Sequence, residues 1–80
     1  MNITEAVADR ILEFCDKRKI TVNMLSTRSA VSQSTVSDII HGRSQNPGIV
    51  TLKKLCDGLD ISICEFFDTK VFRNLEQEIK

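Results

Sequence analysis

The 80-residue sequence contains no tryptophan and no tyrosine, and its only aromatic residues are four phenylalanines. Aromatic platforms for stacking the bases of a single-stranded nucleic acid are therefore poorly supplied. No apolar run reaches the 18 residues of a membrane-spanning helix. Glu5, Asp9, Arg10 and Glu13 interrupt the first fifteen residues, which excludes an apolar signal segment there and makes the cytoplasm the expected compartment. Histidine occurs once and cysteine three times, at Cys15, Cys56 and Cys64, in neither a CxxC nor a zinc-like spacing. These thiols are expected to act as small buried hydrophobes, with no metal and no cofactor. Paired carboxylates and a phosphate-binding loop are missing, and His41 is expected to lack a cysteine or serine partner in its helix, so an enzyme is not expected.

What is present is enough for one small domain. Hydrophobic residues make up 41% of the chain and charged residues 28%, although a chain this short buries only roughly 60–65% of its unfolded surface. The formal net charge is zero, which by itself argues against a nucleic-acid partner. The charge is unevenly spread, however. Residues 1–16 carry −3, residues 17–54 carry +6 with Asp38 the single acid, and residues 55–80 carry −3. A basic middle between acidic flanks suits a protein that presents one face to a polyanion.

The sole proline, Pro47, and two of the three glycines, Gly42 and Gly48, bracket one short loop. Helical spacing predicts a first helix over 3–18 with Ile3, Val7, Ile11, Phe14 and Cys15 inward and an Asn2–Glu5 capping box. Thr21 and Ser32 are N-caps for helices over 22–29 and 33–41. Val22 and Leu25 face inward from the first of these, and Val36, Ile39 and Ile40 from the second. Gly42 supplies a left-handed end. A fourth helix is predicted over 49–57, lined by Ile49, Leu52, Leu55 and Cys56 and stopped by Gly58. Ser62 and Glu65 open a fifth through Phe66 and Phe67. Asp68 is expected to cap a last amphipathic segment carrying Val71, Phe72, Leu75 and Ile79, which either covers the core or forms a two-fold contact. No stretch alternates with period two, so the fold is expected to be all-α, with a domain over 1–68 and an extension over 69–80.

The informative stretch is VNMLSTRSAVSQSTVSDIIH, Val22 to His41. Ser26 is small where two helices meet, Ala30 sits at the turn, and Leu25, Val31, Val36 and Ile39 fill the wedge between them. Together with VSQSTVSDIIHG, NPGIVTLKKLCDGLDIS and EFF within residues 31–67, this ordered pattern resembles the XRE family, the helix-turn-helix class named for phage Cro proteins and repressors. The resemblance covers about residues 4–68. It implies a five-helix lambda-repressor-like domain with a short helical extension, acting as a sequence-specific regulator of transcription on double-stranded DNA.

A nine-residue helix is about 13 Å long, and the major groove of B-DNA is about 12 Å wide. Helix 33–41 therefore fits, with Gln33, Ser34, Ser37 and Asp38 facing base edges. Gln33 leads because an amide donates and accepts at once, matching the N6 and N7 edge of adenine. Thr21, Asn23, Arg28, Thr35, Arg43, Ser44, Gln45 and Asn46 are the candidates for phosphate contacts. Lys53 and Lys54 stand equally as backbone contacts or plain surface charges. Three departures from the family pattern matter. Ala30 replaces the usual turn glycine, Val22 replaces a common phosphate-binding glutamine, and Asp38 occupies a position often basic or amide. Asp38 either accepts from cytosine N4 or repels the backbone. A homodimer on a palindromic site is the expected assembly, and no small-molecule ligand or membrane partner is implied. The alternative is an antitoxin-like or other protein-interaction module on the same fold.

Overall fold

Polar side chains open five of the six helices of the computed structural model, which describes residues 1–79. Asn2 accepts from the Glu5 N–H at 2.9 Å and the Glu5 carboxylate accepts from the Asn2 N–H at 3.2 Å, the reciprocal box expected from the sequence. Thr21, Ser32, Ser62 and Thr69 each accept from the N–H three residues on. The elements are α1 (Ile3–Arg18), α2 (Val22–Ser29), α3 (Gln33–Ile40), α4 (Ile49–Gly58), α5 (Ile63–Phe67) and α6 (Lys70–Arg73). The architecture is all-α, and the ends of α3 and α4 differ from expectation by one residue each.

One core holds these helices together. Ile11, Leu25, Val36, Leu55, Cys56, Leu59 and Phe66 are completely buried, with Val7, Phe14, Cys15, Ile39, Leu52 and Ile61 nearly so. All four phenylalanines gather in one cluster: the Phe66 ring lies 6.5 Å from Phe14, 5.0 Å from Phe67 and 6.0 Å from Phe72. Arg10 closes this corner by donating from Nε to the Phe66 carbonyl at 2.7 Å and from Nη2 to the Glu65 carbonyl at 2.8 Å. Arg18 donates to the Leu59 carbonyl at 2.6 Å and so ties α1 to the end of α4.

Four expectations are corrected. Ile3 and Ile49 are not in the core: they are 40% and 68% exposed. Together with Val7, Ile39, Leu52, Asn46 and Pro47 they line a hollow of about 230 Å³. Gly58 does not stop α4. It is the helix's last residue, and the left-handed turn falls instead on Asp60, at φ 59°. Gly58 is needed for closeness, because a Cβ there would meet the Cβ and Cα of Ser29 at 3.1 and 3.2 Å and its Oγ at 2.0 Å. Asp68 is not the last cap; Thr69 is, while Asp68 pairs with Arg73.

The extension is not a continuous amphipathic helix either. α6 is a single turn, ended where the Asn74 side chain donates to the Lys70 carbonyl at 2.9 Å. Glu76 then bonds to Met1 through its N–H and its carboxylate, which draws the chain along α1. Phe72 packs on the core, 4.8 Å from the Phe67 ring, whereas Val71 and Ile79 are exposed. Lys80, the last residue of the expected extension, lies outside the described residues.

Candidate nucleic-acid interface

The turn between α2 and α3 is built on a strained residue. Ala30 adopts φ 55°, ψ 37°, as expected of a non-glycine standing at this turn. The Val31 N–H reaches back to the Ser26 carbonyl at 3.1 Å and the Ala30 N–H to Thr27 at 3.3 Å, so the last turn of α2 is satisfied as the chain leaves it. Ser26 is buried and its hydroxyl donates to the Asn23 carbonyl at 3.1 Å, the compact side chain that the helix approach requires. Val31 is partly buried against the core, beside buried Leu25, Val36 and Ile39. Ser32 then starts α3, accepting from the Thr35 N–H at 3.2 Å and donating to the Thr35 hydroxyl at 2.8 Å.

This packing fixes which side of α3 is free. Gln33 and Ser34 are exposed, and Ser37 and Asp38 are half-buried. At the far end Gly42 is left-handed at φ 75°. The N–H groups of Arg43 and Ser44 both return to the Asp38 carbonyl, at 2.8 and 3.0 Å. That fold-back brings the Arg43 side chain against α3. Its Nε donates to Asp38 Oδ1 at 2.8 Å and its Nη2 to Ser37 Oγ at 2.9 Å. Sequence reasoning placed Asp38 and Ser37 in one role and Arg43 in another, and their mutual contact was missed. A usable signal existed, since opposite charges five residues apart across a left-handed glycine are brought together by the reversal of the chain.

The remaining candidates fall in two neighbourhoods. Thr21 and Asn23 sit at the N-terminus of α2, where Thr21 Oγ1 accepts from the Met24 N–H at 3.0 Å and the Val22 and Asn23 amides precede the first intrahelical donor. Arg28 shares a shallow hollow with Asn23, Met24 and Thr27. Ser44, Gln45 and Asn46 run along the loop after α3; Gln45 turns its amide back to the Gly42 carbonyl at 2.8 Å, while the Asn46 side chain is exposed. α4 begins at Gly48 without a side-chain cap, leaving a second set of first-turn amides uncovered. Of the basic middle segment, Arg18 is bound to Leu59 and Lys53 pairs with Asp57 on its own helix, so the charge that the sequence groups together is dispersed in space.

The expectation that His41 has no serine partner at a sensible spacing in its helix is also corrected. The Ser37 hydroxyl lies 3.2 Å from His41 Nδ1, but the same nitrogen is 2.8 Å from the Ser37 carbonyl, and the ring is simply folded back over the helix end. Ser37 also receives the Arg43 guanidinium, the reverse of what would activate a nucleophile. Among the thiols, burial pushes Cys15 and Cys56 above the usual range, with Asp57 adding to the rise at Cys56 and Lys53 opposing it. Cys64 is exposed, against the expectation that all three are buried.

The family model of the Cro/C1-type HTH DNA-binding domain matches residues 10–71. Over 62 residues, 76% of the chain, the sequence is 37% identical to the HTH-type transcriptional regulator SlrR of Bacillus subtilis (strain 168). The match covers 41% of that protein, and the chain spans about two fifths of the length of the curated relatives it matches. Among solved structures, the prophage Lp1 protein 11 is similar over 94% of this chain and 100% of its own, with a TM-score of 0.81 and 33% identity. The N-terminal DNA-binding domain of SinR from Bacillus subtilis is similar over 84% of this chain and 97% of its own, with a TM-score of 0.74 and 25% identity.

Proposed function

The chain belongs to the Cro/C1-type helix-turn-helix DNA-binding family, and from that premise we propose that it regulates transcription by laying α3 in the major groove of a specific duplex. The observation that carries this reading is the exposed face of α3. Its eight residues span about 12 Å, Gln33 and Ser34 point to solvent, and the C-terminal segment packs along α1 instead of across it. Gln33 is the adenine reader, with Ser34 and Ser37 adding weaker base contacts.

Phosphate contacts come from the ends of the neighbouring elements: Thr21 and Asn23 at the start of α2, Arg28 at its end, and Ser44, Gln45 and Asn46 in the loop. Thr35 joins them, because its hydroxyl only accepts from Ser32 and keeps its own hydrogen to donate to a phosphate oxygen. Residues 1–68 form the DNA-binding domain and residues 69–79 a strap that covers its aromatic corner. Two copies bind a palindrome with half-site centres about 34 Å apart. A duplex partner puts this activity in the cytoplasm, and no helix among the described residues is long and apolar enough to cross a membrane.

Selection of bound sites from a random duplex library, followed by salt titration on the winner, tests the reading. The expected result is a two-fold site whose log affinity falls with log salt by about 0.9 for each phosphate neutralised. Gln33→Ala should cost about 1–3 kcal/mol at one base pair and leave the others unchanged. Failure to retain any duplex at low ionic strength would end the proposal.

A further inference from the structure

A guanidinium offers two edges, one formed by Nε and one terminal nitrogen, the other by the two terminal nitrogens together. In this protein the first edge is taken. Arg43 Nε is held by Asp38 and Nη2 by Ser37, both on α3, and the backbone bonds from Arg43 and Ser44 to the Asp38 carbonyl fix the root of the side chain. The second edge has no partner among the described residues, and the side chain is 58% exposed. Two parallel N–H groups directed away from the recognition helix match the O6 and N7 acceptors that guanine alone presents in the major groove. A phosphate anchor wants the opposite arrangement, an uncompensated cation on a free stem, because its contribution comes from displacing counterions. With Asp38 at 2.8 Å, the charge of Arg43 is largely offset.

We infer that Arg43 is a base-reading residue that selects a guanine, and that Asp38, with Ser37, is the positioning residue that aims it. The inference rests on the proposal that α3 enters the major groove. It reassigns both charged residues: Arg43 moves from phosphate to base, and Asp38 neither reads cytosine nor simply weakens binding. The anion on a DNA-facing helix serves to convert a general attraction into a selective one.

Site selection and salt titration on the full chain and on Arg43→Lys and Asp38→Asn provide the test. Arg43 and Asp38 are both substantially exposed, so circular dichroism is expected to report folded variants. The wild-type site should contain an invariant guanine on each half. Arg43→Lys keeps the charge and can still reach O6 and N7, but it loses the planar fork that Asp38 and Ser37 aim; it should lower the preference for that guanine several-fold, a part of the roughly 5- to 150-fold that one bidentate pair is worth, with an unchanged salt slope. Asp38→Asn should lower the same preference, tighten binding to unrelated duplexes and steepen the slope by about 0.9 per protomer as the released arginine finds a phosphate. Equal weakening on every duplex by Arg43→Lys, with no change at any one base pair, would make Arg43 a phosphate anchor and overturn the inference while leaving groove binding intact. Absence of any selected duplex for the wild type would overturn both.

Discussion

The seam where α2 meets α4 and the face that α3 shares with the following loop are made by opposite means. At the seam no atom can be added: Ser29 is buried, its hydroxyl has no partner, and Gly58 leaves no room for a methyl group. On the α3 face the groups are polar and exposed or half-exposed, and those that are bonded, Ser37 and Asp38, hold an exposed arginine that could be exchanged without disturbing the core. The seam holds α2, against which, with α1, α3 packs, and the face determines what α3 reads. Stability and recognition should therefore separate under mutation.

The largest effect expected is at the aromatic corner behind the seam. Phe66 is fully buried among three other rings and under Arg10. Phe66→Ala should cost about 3–5 kcal/mol, a large share of the stability of so short a chain. Gln33→Ala should stay within about 0.5 kcal/mol of the parent, since it removes only solvated atoms. Urea unfolding followed by circular dichroism checks both, and a comparable loss in the two variants would dissolve the distinction between the packed interior and the α3 face.

Next in size is Gly58→Ala. Alanine gains about 1 kcal/mol over glycine in a helix interior and less at a last residue such as Gly58, and here the new methyl group would press on the Ser29 backbone at 3.2 Å and side chain at 3.1 Å. Overpacking should win, for a net loss of about 1–3 kcal/mol. Ser29→Ala removes the unpartnered hydroxyl and should be neutral or stabilising by itself. Combining the two should recover part of the loss, and strict additivity in the double-mutant cycle would show that the helices do not meet as tightly as described.

These two sites mark the limit of what the chain makes legible. Helix positions were readable because caps and helical spacing are local, as Asn2, Thr21 and Ser32 illustrate. The helix-turn-helix itself was readable because Ser26, Ala30 and Val36 satisfy constraints within fifteen residues of one another. Gly58 was read as a stop signal because its real constraint comes from Ser29, 29 residues earlier, and no local pattern encodes that approach. Ile3 and Ile49 fit apolar stripes, yet both stay largely outside the core. At the site, exposure of Gln33 and Ser34 followed from periodicity, whereas the Arg43–Asp38 pair needed the path of the loop. The extension misled for a similar reason: spacing shows which residues would share a face, not whether the helix continues.

The thiols divide along the same line and give a smaller, pH-dependent effect. Cys15 and Cys56 are buried and titrate above the usual range, chiefly because burial disfavours the thiolate. An unfolded thiol ionises near about pH 8.5, so above that pH the unfolded chain has lost protons that the native state still holds. Stability from these two groups is thus complete below that pH and falls as pH rises toward the raised native values. Replacing both by alanine or valine should flatten that alkaline decline in the midpoint of urea unfolding. A thiol-reactive disulfide reagent should find one fast equivalent in the native protein, Cys64, and three after denaturation.

The smallest effect lies where the two regions join. Ala30 holds a left-handed conformation that costs an L-residue roughly 1 kcal/mol and glycine almost nothing. Ala30→Gly should remove that strain, offset in part by about 0.4–1 kcal/mol of extra freedom in the unfolded chain, so the net gain should be a few tenths of a kcal/mol. The informative readout is affinity measured beside stability. If core packing alone sets the angle of α3, the glycine variant keeps the parent's affinity and base preference, because Leu25, Val36 and Ile39 still lock α2 and α3 together. A variant that is more stable yet binds its selected duplex several-fold more weakly would place part of the control of α3 in the turn itself, with alanine limiting how far the recognition helix can swing.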